Sequence, residues 1–241
     1  MKTTDSILLI LTRLPKGYVF TYVDFLEKVN KKEAVIKALN RLAASGKIAK
    51  LTKGKFFKPE SSEFGLIQPT LYQEVKDLLE KDGRIIGYLT GYSLYNQLGL
   101  TTQVSNAIQI GKNEIRAPFK RGRRTISFIK QKNIIVKSNI MLLQLLDTIR
   151  YIKKIPDTSV VTACKRLKAI IQNLSKKDKF TIVRLAQKYP PLTRALLGVL
   201  FEATGNVSLI GQLKKSLNPI TIYKLSGVNK FSSFSEKWNF K

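Results

Sequence analysis

The sequence holds no histidine and only one cysteine, Cys164. Without histidine, the commonest metal ligand and the usual general base at neutral pH are missing. A lone thiol excludes an internal disulfide framework and fits a reducing compartment. Acids are scarce as well. There are 16 Asp and Glu against 43 Lys and Arg, a formal charge of +27 over 241 residues. No unbroken apolar run reaches the roughly 20 residues that span a bilayer, so no transmembrane helix and no membrane partner are expected. The stretch MKTTDSILLILTRLPKGY places an acid ahead of a short apolar run and lacks a small-residue cleavage site. It is not read as a signal peptide, and a cytoplasmic protein is expected.

The acids that are present avoid the patterns of metal-dependent catalysis. A nucleotidyltransferase needs a Gly-Ser followed by two or three carboxylates to hold divalent ions. Here Gly91-Tyr92-Ser93 is followed by Leu94 and Tyr95, and Glu114 is the sole carboxylate between Asp82 and Asp147. No Walker loop and no GxSxG occurs. Cys164 falls inside a predicted helix with no histidine to activate it, so it is read as a packing residue. Ser93 has no visible base. No catalytic residue, metal ligand or cofactor is therefore expected, and the chain reads as a non-enzyme.

What the chain does have is positive charge on amphipathic elements. A hydrophobic content of 44% supports packed cores. The basic excess predicts attraction to polyanions with a steep salt dependence. Ribosome or membrane-surface association would use the same charge.

The stretch Lys31 to Pro59 reads as one helix followed by a basic hairpin. Val35, Ala38, Leu39 and Leu42 share one helix face at i, i+3, i+4, i+7. Glu33, Lys37, Asn40, Arg41 and Ala44 point the other way. Asn30 is placed to cap the helix, with Glu33 at the capping-box position, and Gly46 ends it. Lys47–Thr52 and Lys55–Lys58 follow as short strands around Lys53-Gly54. Ahead of this stretch lie a helix over Ser6–Leu14, a stop at Pro15-Lys16-Gly17 and a β-prone Tyr18-Val19-Phe20. Thr21 then caps a second helix over Tyr22–Lys28 that buries Val23, Leu26 and Phe25. This is the order of a winged helix-turn-helix over residues 1–60, with its third helix entering a major groove and its wing along the backbone. Lys31, Lys32, Lys37, Asn40 and Arg41 would face DNA, with Lys53 and Lys55 on the wing. Asn40 could pair with adenine and Arg41 with guanine, while the lysines hold phosphates. The bland alternative is an ordinary solvated helix and hairpin.

Residues 61–69 are expected as a polar linker, and a larger domain, mostly helical with a small β-sheet, follows over 70–241. The fold class is thus α+β. In the larger domain, helices are expected from Leu71 to Lys81 and from Gly87 to Leu98, with a turn at Asp82-Gly83. Strands are expected at Ala107–Gly111 and Arg124–Lys130, by alternation, with Ile134–Val136 as a third short candidate. Between them lies an arginine-rich loop holding Lys120, Arg121, Arg123 and Arg124, which could grip phosphate or RNA or be merely solvated. From Ile140 the pattern is helical. Leu142, Leu145, Leu146 and Ile149 form one stripe, and further helices are expected at Ser159–Leu174, Phe180–Lys188, Leu192–Thr204 and Val207–Leu217. The aromatic tail GVNKFSSFSEKWNFK either tucks onto the domain or docks a partner.

Three stretches carry a resemblance: GYLTGYSLYNQLGLTTQVSNAIQIGKN (Gly87–Asn113), LLQLLDTIRYIKKIPD (Leu142–Asp157) and KYPPLTRALLGVLFE (Lys188–Glu202). The chain resembles the AbiEi-like antitoxins and regulators of bacterial abortive-infection toxin–antitoxin systems. The resemblance implies an N-terminal winged helix that binds inverted repeats in its own promoter and represses its operon. It also implies a C-terminal domain that counters a nucleotidyltransferase-like toxin in the type IV manner, with no stable complex required. Carried over by residue, it covers Lys31–Arg41 and Lys53–Lys55 as DNA contacts. The protein would be a monomer or weak dimer in solution, with two copies on an inverted repeat. The competing reading is an RNA-binding or ribosome-associated basic protein.

Overall fold

Hydrophobic periodicity decides most elements of the computed structural model, which describes residues 3–29 and 31–241. The chain is mixed α+β and divides into two compact units, Met1–Asp77 and Leu78–Lys241.

In the first unit, helix α1 (Thr3–Arg13) buries Ile7 and Leu11. Strand β1 (Val19–Phe20) follows the Pro15–Gly17 stop. Thr21 then caps a single 3₁₀ turn, Tyr22–Phe25, instead of the expected helix to Lys28. Its hydroxyl accepts from Val23 N–H (3.2 Å), and its own N–H donates to Asp24 Oδ2 (2.7 Å). The tighter winding puts Phe25 in the core and leaves Val23 57% exposed, contrary to its expected burial. Helix α2 (Lys32–Ala44) buries Val35, Ala38, Leu39 and Leu42, the stripe expected from spacing. The expected cap Asn30 lies outside the described residues. At the other end Gly46, with φ +72°, closes the helix. Its N–H donates to Ala43 O and that of Lys47 to Leu42 O, which satisfies carbonyls left over at the helix end. Strands β2 (Ala49–Thr52) and β3 (Lys55–Phe57) form an antiparallel hairpin around Lys53-Gly54, and β1 pairs with β3 on the far side. The core joins Ile7, Leu11, Phe20, Phe25, Val35, Leu39, Ile48 and Phe56.

The expected linker is structured. β4 (Ser61–Ser62) and β5 (Gly65–Leu66) make a second small hairpin. Helix α3 (Leu71–Leu79) belongs to the first unit through Asp77, so the boundary falls later than the sequence suggests. Polar ties account for this. Val19 N–H donates to Gln73 Oε1 (3.2 Å), Lys76 Nζ donates to Tyr18 Oη (3.0 Å), and Lys55 pairs with Asp77 (2.6 Å).

The second unit opens with the hairpin β6 (Glu80–Lys81) and β7 (Arg84–Ile85) around the expected Asp82-Gly83 turn. Gly87–Leu98 is not one helix. Gly87–Thr90 is strand β8, and helix α4 is confined to Tyr92–Gln97. Gly91 separates them at φ +68°, and a Cβ there would lie 1.8 Å from Gln109 Oε1. Only glycine fits so close an approach. The sheet runs β10-β11-β9-β8, with β9 (Ala107–Lys112), β10 (Phe119–Arg121) and β11 (Arg124–Lys130). β9 and β11 are parallel, whereas β8 pairs antiparallel with β9 and β10 antiparallel with β11. The expected strand at Ile134–Val136 does not form. Side-chain amides satisfy this backbone instead: Asn139 Nδ2 donates to Ile134 O, and Val136 N–H donates to Asn139 Oδ1.

Helices pack beside the sheet: α5 (Ile140–Arg150), α6 (Val160–Gln172), α7 (Lys176–Ala186), α8 (Pro191–Ala203), α9 (Ile210–Lys215) and the short α10 (Val228–Phe231). α7 starts one turn before the expected Phe180. Ser175 caps it, accepting from Asp178 N–H (3.1 Å) and donating to the Asp178 carboxylate (2.6 Å). The aromatic tail tucks in. Trp238 and Phe240 are buried, and Trp238 Nε1–H donates to Glu202 Oε2 (3.1 Å). Among the described residues, no helix is long and apolar enough to cross a membrane.

Candidate nucleic-acid interface

An amphipathic helix that buries one stripe must present the other. On α2 the presented stripe holds Lys32, Lys37, Asn40 and Arg41, with Lys31 at the cap position just before it, all exposed. Lys32 Nζ lies 5.1 Å from the centre of the Tyr22 ring, which braces the start of the helix. The guanidinium of Arg41 reaches back to Lys37 O (3.5 Å), keeping the two cations on adjacent turns. Lys53 is exposed at the tip of the β2–β3 hairpin. The side chain of Lys55 is 15% exposed and its ammonium is held by Asp77, which ties it to α3.

The arginine-rich loop is in fact the β10–β11 hairpin, with Arg121 opposite Arg124 across a Gly122-Arg123 turn. Lys120 and Arg123 are exposed, whereas Arg121 and Arg124 are half-buried. Phe119 and Phe128 stack beneath, with ring centres 6.2 Å apart. Arg116 lies 4.4 Å from the centre of the Phe119 ring and 5.4 Å from that of Phe128, and Arg121 lies 5.6 Å from that of Phe119. Sequence reasoning passed over Arg116, although an arginine three residues from a phenylalanine that opens a strand was the available signal.

Two further features escaped the sequence. One is a buried polar network around Asp147 on α5. Its Oδ2 accepts from Tyr88 Oη (2.8 Å) and Thr90 Oγ1 (3.1 Å), and its Oδ1 accepts from Tyr189 Oη (2.9 Å). Gln131 Nε2 donates to both tyrosine oxygens, each at 2.8 Å. Burial pushes the Asp147 carboxyl above the usual carboxylate range, and the three hydroxyls and Arg150 offset only part of this. Burial also raises the Tyr88 and Tyr189 hydroxyls, with the Asp147 charge adding to it, so both remain donors. The other feature is a cleft of ≈ 590 Å³ next to this network, lined by Lys130, Lys132, Arg150, Lys188, Gln131 and Tyr189 among others.

Cys164 is buried, and its thiol is pushed up to about 12 by desolvation, which suits packing and not nucleophilic attack. Ser93 Oγ is turned back to Thr90 O (3.4 Å). Among the described residues, no group of three or more Cys, Asp or Glu gathers as metal ligands would.

No curated protein matches the chain. Among solved structures, the crystal structure of the RV2827C protein from Mycobacterium tuberculosis is similar over 100% of this chain and 91% of that one. Its TM-score is 0.59 and its identity 13%, a likeness of fold alone. A family model matches residues 6–182, most of the length. The chain therefore belongs to DUF6088, a family of unknown function.

Proposed function

We propose that the protein is a DNA-binding autorepressor whose first unit is a winged helix-turn-helix, and that it also serves as the antitoxin of a type IV system. The observation that carries the DNA-binding reading is the division of α2. It buries Val35, Ala38, Leu39 and Leu42, while Lys31, Lys32, Lys37, Asn40 and Arg41 stay exposed beside a hairpin tipped by Lys53. The helix supplies groove contacts and the hairpin tip a backbone contact. The resemblance to AbiEi-like proteins supports the antitoxin role, exercised in the cytoplasm against a nucleotidyltransferase-like toxin.

Footprinting on the protein's own promoter tests the first part, with an inverted repeat covered by two copies as the expected result. Arg41→Ala should weaken specific binding by about 1–3 kcal/mol in a gel-shift titration. Wild-type affinity would reject the assignment. Co-expression with a nucleotidyltransferase-like toxin, should the adjacent gene encode one, scored as growth rescue, tests the second part.

A second reading has its own observation. The β10–β11 hairpin presents Lys120 and Arg123 beside stacked Phe119 and Phe128, a combination that suits single-stranded RNA. Competition between duplex operator and unstructured RNA separates the two readings.

A further inference from the structure

The cleft beside the Asp147 network gathers four cations from three separate places. Lys130 and Lys132 come from the end of β11 and just beyond it, Arg150 from the last residue of α5, and Lys188 from the segment between α7 and α8. Among the described residues, no carboxylate lines it. Lys188 Nζ donates to the backbone carbonyl of Lys132 at 3.4 Å, which ties the Lys188 side chain to the segment after β11. The floor is polar and fixed. Tyr189 Oη is locked between Asp147 (2.9 Å) and Gln131 (2.8 Å), and Gln131 Oε1 in turn accepts from Asn133 N–H (2.8 Å). Pro190 and Pro191, at the start of α8, form part of the rim.

Four residues of like charge line one concavity with no opposing carboxylate among its described lining residues, and a multivalent anion would relieve their repulsion. The volume falls within the range of small-molecule sites, about 300–1,000 Å³. A second cavity of ≈ 370 Å³ shares Arg150 and Pro190 with the first but is mainly apolar, lined by Tyr151, Ile152, Leu192 and Leu225 among others. Arg150 stands between the two, its guanidinium 4.9 Å from the centre of the Tyr151 ring.

We propose that these adjoining cavities bind a nucleoside triphosphate, with the phosphates among Lys130, Lys132, Arg150 and Lys188 and the base in the apolar cavity beside Leu192 and Leu225. Every residue lining the two cavities belongs to the second unit. No reaction is assigned to the site. Its role is recognition.

Isothermal titration of the full chain with ATP, GTP and sodium tripolyphosphate at about 0.15 M salt, where long-range charge attraction is screened, tests this. Saturable binding of a nucleoside triphosphate to one site, tighter than tripolyphosphate, is expected. Lys132→Glu with Lys188→Glu should raise Kd about tenfold or more, because charge-assisted phosphate contacts are lost. Lys176→Glu with Lys177→Glu, which removes the same charge from exposed positions on α7, should leave Kd within about twofold, as a merely screened long-range charge should. Lys132→Gln with Lys188→Gln, checked for an unchanged melting curve, guards against misfolding of the double glutamate variant.

Several results would overturn the proposal. They are absence of saturation, equal weakening in the α7 variant, tripolyphosphate binding as tightly as the nucleotides, or a short single-stranded RNA displacing ATP through the same two lysines with higher affinity.

Discussion

Asp147 keeps a carboxylate where three hydroxyls reach it and solvent does not. Asp147→Ala would leave Tyr88 and Thr90 without their acceptor and Tyr189 with only the more distant Leu143 carbonyl (3.3 Å). The expected loss is about 3 kcal/mol or more, read from denaturant unfolding. The pH dependence follows from the direction of its shift. A carboxyl raised in the folded state binds its proton more tightly there than in the unfolded chain. The cost of ionising it is fully present above the folded value. That cost is relieved as pH falls through the window between the folded value and the ordinary range near about 4. Wild type should therefore gain stability relative to Asp147→Asn as pH is lowered through that window, measured as paired melts. A constant difference would refute the shift. Lys53 and Lys55 separate at the same scale. Lys53→Ala should flatten the salt slope of DNA binding by about 1 in log–log terms. Lys55→Ala should leave the slope unchanged and cost about 1 kcal/mol or less of stability, since Asp77 is partly exposed.

Among elements, legibility followed the range of the interactions that set each one. α2 was readable because its period, its buried stripe and Gly46 are all local. β11 was readable because Ile126 and Phe128 alternate with polar neighbours. β8 was not, since its tyrosine and leucine spacing also suits a helix. What decides the matter is pairing with β9 and the steric demand of Gln109 on Gly91, both distant in sequence. The ion pair of Lys55 was not legible because Asp77 lies 22 residues on. The cleft was invisible because β11, α5 and the α7–α8 connection meet only in the fold, with Gln131 and Tyr189 58 residues apart. The tail is the clearest case of an element whose fate the sequence left open. Trp238→Ala should destabilise the second unit by about 3–5 kcal/mol, as removal of a large buried aromatic does, and equilibrium unfolding would register it.

For the whole molecule, a charge of +27 makes salt the controlling variable. Operator affinity should fall linearly on a log–log plot against salt, with a slope near −0.9 for each phosphate neutralised. A slope close to zero would set aside the DNA-binding proposal. Light scattering with and without operator should show two copies assembling on an inverted repeat.

Lys55 with Asp77, Tyr18 with Lys76 and Val19 with Gln73 bear on where the chain could be cut. A protease fragment ending near Glu60, where sequence alone would place the end of the first module, loses all three partners at once. It should fray along β1, the edge strand that pairs with β3. A fragment retaining the small 61–66 hairpin and the helix after it through residue 77 keeps those partners. It is the shortest piece expected to survive digestion intact.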